Sequence, residues 1–250
     1  MVTNDPSTQD ADVLLALSRA SGLPILSIHA PVLLATQLVW GIDPARKLEK
    51  SAELARAVGA TTVVVHPPFR WQAAYSRRFE RLVAELAERF GLEVAVENMF
   101  SWSVRGTNVR AYSPSPYPTE LAVESMTLDF SHAALAGRDG LEFAHAMGPR
   151  LRHIHLCDGL GGTIFDEHLI PGHGSQPVAE VLTLLRTSGW SGSVVAEVST
   201  RSARTTDARL AILGETLAFA RAALANHSSS PAAVPSSPAS TQNGPRSLSA

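Results

Sequence analysis

Six short apolar runs, each ending at or one residue past a histidine, aspartate or glutamate, are spaced along the chain. They are ILSIH at 25–29, TVVVH at 62–66, LEVAVE at 92–97, MTLDF at 126–130, RHIHLCD at 152–158 and SVVAE at 193–197. Runs that are apolar on both faces belong to strands covered on both sides. Between them lie stripes at helical spacing: Leu48, Ala52, Ala55 and Val58; Phe79, Leu82, Val83, Leu86 and Phe90; Val178, Val181, Leu182 and Leu185; and Leu210, Leu213, Leu217 and Leu224. Each stripe predicts an amphipathic helix with its apolar face on a core. An earlier stretch, Asp12 to Ala20, carries Val13, Leu14 and Leu17 on one side. Strands alternating with helices require a parallel sheet, either a closed β/α barrel or an open doubly wound sheet.

The chain has 250 residues, 45% of them hydrophobic, enough for one sizeable core. A formal net charge of −2 excludes a general positive field for non-specific nucleic-acid binding. One cysteine, Cys157, excludes a disulfide framework and a four-cysteine zinc module. Met1 to Asp10 lacks the pattern of a secretion signal. Leu23 to Ile42 is free of formal charge, but Pro24, His29 and Pro31 argue for a buried strand and a loop rather than a membrane span. The expectation is a cytoplasmic protein that contacts no membrane, with a domain over 1–225. Residues 226–250, rich in Ser, Pro and Ala, are expected to form a disordered tail.

No GxGxxG follows the first run and no GxxxxGK[ST] occurs, so the usual nucleotide fingerprints are missing. The run ends supply His29, His66, Glu97, Asp129, His155 and Glu197 instead. His132 follows three residues after Asp129, and an Asp166-Glu167-His168 loop follows the fifth run. A closed barrel would bring all strand ends to one mouth. Imidazole and carboxylate together suit Zn²⁺ or Mn²⁺.

The segments IHAP, VVHPP, VENM, LDFSHAALAG, HIHLCDG, DEHLIPGHG and SGSVVAEVS, in this order, resemble the xylose isomerase-like, endonuclease IV-like superfamily of metal-dependent TIM barrels. The likeness runs roughly from Leu23 to Leu224. It implies a metal ion held by Glu97, Asp129, His155 and Glu197, the set of the sugar isomerases and epimerases, with Glu97 and Glu197 as catalytic acid and base. The endonuclease branch adds His29, His66, His132, Asp166 and His168 for further zinc ions, and all are present here. In that branch an aromatic follows the first histidine and enters the base stack; Val32 stands in its place, although Leu33 is retained. This departure and the net charge favour a small-molecule sugar or sugar-phosphate substrate over nucleic acid. The resemblance leaves two further readings, an endonuclease acting at abasic sites and a metal-binding remnant without catalysis.

Barrels of this kind have eight strands, and the chain supplies six candidates. The helical stretch before His29 resembles the family's second helix, so the expectation is a barrel lacking its first two strands. A misplaced start codon, a covering partner or second copy in a homo-oligomer, and a decayed protein would each account for that. Of the remaining residues, His153 is expected in the core one layer below His155, Cys157 buried near the metal, His145 on a helix, and His173 in a glycine turn. Trp40, Phe69, Trp71, Phe100 and Trp102 are expected to wall the mouth. Arg70, Arg105 and Arg110 are candidates for a phosphate clamp, and Arg105 to Pro118 for a lid or a disordered excursion.

Overall fold

The structure, a computed structural model, describes residues 1–32, 36, 38–104, 107–162 and 165–225. Helix α1 (Ala11–Ser21) starts at Asp10, whose carboxylate accepts from the backbone N–H groups of Asp12 and Val13, and ends at left-handed Gly22. Strand β1 (Ser27–His29) follows, then α2 (Pro44–Val58), β2 (Thr62–Val65), the single turn α3 (Ala73–Ser76), α4 (Phe79–Phe90) and β3 (Glu93–Glu97). A small antiparallel hairpin, β4 (Trp102–Val104) and β5 (Thr107–Val109), interrupts the alternation. The chain continues through β6 (Ser125–Asp129), α5 (Phe130–Leu135), α6 (Gly140–Met147), β7 (Leu151–Leu156), α7 (Val178–Thr187), β8 (Ser193–Ala196) and α8 (Thr206–Leu224).

The six predicted runs are the strands of one parallel sheet in the order β1-β2-β3-β6-β7-β8. In a flat sheet β1 and β7 would stand four spacings, or about 19 Å, apart. The rings of His29, at the end of β1, and His155, on β7, instead stack with centroids 5.5 Å apart. The sheet is therefore curled into an incomplete barrel, with helices outside and the strand ends converging inside.

Three predicted stripes pack as expected. Leu48, Ala52, Ala55 and Val58 are buried, as are Phe79, Val83 and Leu86, and Val178, Val181, Leu182 and Leu185. Each large apolar side chain so buried contributes about 1.5–3 kcal/mol. Two stripes do not. On α8 the buried residues are Thr216 and Ala220, while Leu210 is 60% exposed and Leu213 43%. The small pair faces the sheet, and a cavity of about 380 Å³ remains between α8 and Leu156, Val194 and Ala196. On α1, Leu14 and Leu15 touch the core, whereas Leu17 is 59% exposed.

The disordered reading of 105–118 is also corrected. Residues 105–106 lie outside the described residues, but Ala111, Tyr112, Ser115 and Pro118 are buried, and Ser113 N–H donates to Pro68 O at 2.9 Å. Leu33 and the tail 226–250 also fall outside the described residues. No helix among those described is long and apolar enough to cross a membrane.

Candidate metal centre

Parallel strands deliver their C-terminal residues to the same rim, so the fold alone gathers His29, His66, Glu97, Asp129, His155 and Glu197. At the centre lies Glu97, 1% exposed. Its Oε2 is 3.2 Å from His29 Nε2 and 3.1 Å from His66 Nε2, and its Oε1 is 3.1 Å from His132 Nδ1 and 3.0 Å from His155 Nδ1. The same His155 nitrogen lies 3.4 Å from Asp129 Oδ2 and 2.7 Å from Glu197 Oε2.

Backbone carbonyls fix several of these rings. His29 Nδ1 is 3.0 Å from Ala30 O, His132 Nδ1 is 3.0 Å from Asn98 O, and His168 Nδ1 is 2.7 Å from Glu197 O. Donation from Nδ1–H to these carbonyls leaves Nε2 of each ring facing the carboxylates, the tautomer a metal-ligating imidazole requires. His168 Nε2 meets Asp166 Oδ2 at 2.7 Å, and His132 Nε2 reaches the same oxygen at 3.1 Å. His168 sits at φ 45°, an uncommon place for a residue with a side chain. Its own N–H donates to Ser131 Oγ at 3.1 Å, which helps to hold it there.

The site is strongly polarised. Burial works to raise the Glu97 pKa, yet His155 and His66 hold it well below the carboxylate range. Burial opposes charge on His132 and His155, but the carboxylates around them, Asp129 foremost for His132 and Glu97 for His155, push both well above the usual imidazole value. For His168, burial is likewise outweighed by Asp166, which raises it to about 9. Glu197, despite burial, is brought to about 2 by His155.

One imidazole nitrogen cannot satisfy three carboxylates with a single proton, whereas a cation beside Asp129, His155 and Glu197 would serve two of them, Glu97 grouping instead with His29 and His155. Zn–N and Zn–O bonds of about 2.0–2.1 Å put tetrahedral ligand atoms about 3.3 Å apart, close to the spacings around His155 Nδ1. Two ligand triads satisfy this chemistry around Asp129, namely Asp129, His155 and Glu197, and Asp129, His132 and His168; a third is His29, Glu97 and His155. The residues present thus fit a divalent ion.

All nine anticipated site residues fall in this one region, with Asp166 joining it through His132 and His168. His153 is buried below His155, its ring centroid 5.0 Å away and its Nε2 3.2 Å from Ser27 Oγ. Cys157 is buried with Sγ 3.6 Å from both Asp129 oxygens. Among the described residues no arginine clamp forms: Arg70 and Arg110 are exposed and donate to Arg110 O and Pro114 O, while Arg105 lies outside the described residues. His173 is exposed and bonds Glu215 at 2.8 Å, away from the site. His145 lies on α6, in its last turn. Phe69, Trp71 and Trp102 form an aromatic wall with Tyr112, while Phe100 lies 5.1 Å from His132; Trp40 packs on the main core instead.

Two supporting residues escaped sequence reasoning. Asn98 accepts from Asp129 N–H at 2.8 Å and donates to Asp129 O at 3.0 Å, locking the end of β6. Asp158, fully buried, accepts from the N–H groups of Gly159, Gly172 and Gln176 at 2.8, 2.9 and 3.1 Å, and so clamps the loop that carries Asp166 and His168. The glycines of PGHG serve that clamp: Gly172 sits at φ 88°, and a Cβ on Gly174 would collide with the Asp158 carboxylate. Spacing between Asp158 and PGHG was the available signal.

The family described as "xylose isomerase-like TIM barrel" matches residues 3–223. An uncharacterized protein of Mycobacterium tuberculosis, Rv0498, is 45% identical over 240 residues, covering 88% of this chain and 85% of its own. Fructoselysine 3-epimerase of Shigella flexneri is 25% identical over 166 residues, covering 64% and 56%. Among solved structures, a D-tagatose 3-epimerase-like protein aligns with TM-score 0.60 at 23% identity over 86% of this chain and 85% of its own. The IOLI protein with a bound zinc atom aligns with TM-score 0.59 at 19% identity over 86% and 81%.

Proposed function

Since the chain belongs to the xylose isomerase-like TIM-barrel family, we propose that it isomerises or epimerises a sugar or sugar phosphate, using a divalent ion, zinc or manganese, held by Glu97, Asp129, His155 and Glu197. The observation that carries this reading is the convergence of three carboxylates on His155 Nδ1, one of them, Glu197, with its side chain 32% exposed at the mouth. When bound, the ion would polarise a carbonyl and the hydroxyl on the neighbouring carbon, acidifying the C–H of that carbon. Glu197 and Glu97, both held ionised and reaching the centre from different strands, are placed as bases toward that carbon, and the carboxylate that takes the proton becomes the acid that returns it. Asn98 and Asp158 keep the ligands in register, and the aromatic wall limits water. An epimerase and an epimerase-like protein among the relatives, and the zinc in the IOLI structure, support the same reading.

The test is solvent deuterium incorporation into ketoses by protein loaded with zinc or manganese, followed by NMR. Deuterium should appear at a carbon next to the carbonyl and disappear in Glu197→Gln. Equal incorporation by the variant overturns the role given to Glu197.

A second reading draws on the triad of Asp129, His132 and His168, which would hold a further ion as in the endonuclease branch. It predicts metal-dependent nicking of a duplex with an abasic site. Val32 and the net charge of −2 favour the sugar reading.

A further inference from the structure

A cavity of about 410 Å³ lies beside the centre, and His66 lines it. Two fully buried polar atoms on residues lining it have no hydrogen-bond partner among the described residues: His66 Nδ1 and the Tyr75 hydroxyl. Buried polar atoms of this kind are destabilising unless a ligand or water completes them. One wall is aromatic. Phe69 and Trp71 stack with centroids 4.5 Å apart at 7°, and Trp71 remains 58% exposed. Such a face suits the C–H side of a sugar ring, whose hydroxyls then point to the polar rim.

The charges lining the cavity argue against a phosphate. Lys47 is buried, but its ammonium already donates to Thr36 O at 2.7 Å and Pro31 O at 3.3 Å. Asp43, also at the cavity, presents a carboxylate that caps α2, and Arg78 is exposed at the rim. Buried donors and acceptors without an uncommitted buried cation match hydroxyl groups, which both give and accept hydrogen bonds.

Resting on the isomerase or epimerase reading, we propose that this cavity is a second sugar subsite, and that the substrate carries a hydroxylated ring beyond the reacting sugar: a glycosyl-ketose rather than a free or phosphorylated monosaccharide. The ring stacks on Trp71 and completes Tyr75 Oη and His66 Nδ1, while the reacting end lies over the carboxylates.

Binding of D-fructose, D-fructose 6-phosphate and a reducing glucosyl-fructose disaccharide, its ketose carbonyl free, is measured by calorimetry and tryptophan fluorescence on zinc-loaded protein. The disaccharide should bind roughly tenfold or more tightly than either hexose, and Trp71→Ala and Tyr75→Phe should each erase most of that advantage. Neither change threatens folding: Trp71 is largely exposed, and Tyr75→Phe removes only an unpaired hydroxyl. Equal binding of all three, tighter binding of the phosphate, or a disaccharide advantage that survives both variants overturns the subsite. Turnover separates it from the parent reading. Hexose epimerisation without a disaccharide advantage refutes the subsite alone. Variant-sensitive disaccharide binding without any deuterium exchange supports the subsite and refutes the reaction.

Discussion

His155 Nδ1 stands 2.7 Å from Glu197 Oε2, joining the penultimate strand of the sheet to the residue that follows its last strand. The contact places a carboxylate at the open mouth beside the other candidate ligands. Glu197→Gln keeps size and shape while removing basicity, so kcat should fall by about 10²–10⁴-fold, with the thermal midpoint little changed. Steady-state kinetics beside a thermal melt check this.

Removing an imidazole from the centre should act on ion affinity. His155→Ala deletes the nitrogen shared by Glu97, Asp129 and Glu197, and zinc affinity by competition with a chromophoric chelator should drop by at least about 100-fold. In the parent protein, ion at a hundred times its Kd should stabilise by about 2.7 kcal/mol, a gain that chelation removes. A variant that keeps parental affinity places the ion elsewhere.

The protonation of the ion-free site fixes the sign of its pH dependence. His168 is raised to about 9, so its stabilising contribution is full below the ordinary value near 6.5 and is lost as pH rises through 9. On the acid side, burial lowers His153 to about 3. The unfolded chain takes up that proton first, and stability falls as pH drops below about 6.5. Glu197, at about 2, adds a loss from about pH 4.5 downward. Ion-free protein should therefore be most stable near pH 6.5. Ion affinity should instead rise from pH 6.5 to 9, because His155 and His132 must shed protons to ligate. Melting curves and zinc titrations across that range would contradict this if both were flat.

Asp158 is a positioning residue with three backbone donors. Asp158→Ala leaves those N–H groups without their acceptor and should cost about 3 kcal/mol or more in denaturant unfolding. The more conservative Asp158→Asn keeps one acceptor oxygen and should lie between the two. Because the clamped loop carries Asp166 and His168, zinc affinity should fall in the same order.

The leucine stripe of α8 gives a stability test of the fold. With Leu210 60% exposed, Leu210→Gln should change unfolding free energy by no more than about 0.5 kcal/mol, whereas Leu182→Ala, fully buried on α7, should cost about 2–5 kcal/mol. A large loss at Leu210 would mean that this face is covered.

The strands and the polar residues at their ends were legible because a parallel, doubly covered strand must be apolar throughout and has few places for His66, Glu97 or Asp129 except its end. Helix faces were legible only where the packing partner is large. The α8 stripe is amphipathic, but amphipathicity does not name the face that meets the sheet, and Thr216 and Ala220 approach it because they are small. The β4–β5 hairpin carries no apolar alternation around Asn108 and was passed over. Asn98 and Asp158 act on backbone groups of distant segments, a relation without any periodicity to betray it. The cavity at Tyr75 arises from three separate loops and helices, so it existed only once the chain was folded.

Glu97, Asp129, His155 and Glu197 are proposed to share one cation. Anomalous diffraction at the zinc edge, from crystals of zinc-loaded protein, tests it directly. A shared ion should give a peak with Glu97, Asp129 and Glu197 oxygens and His155 Nδ1 at about 2.0–2.2 Å. A fully loaded protein whose anomalous peaks leave those four side chains unligated would contradict it.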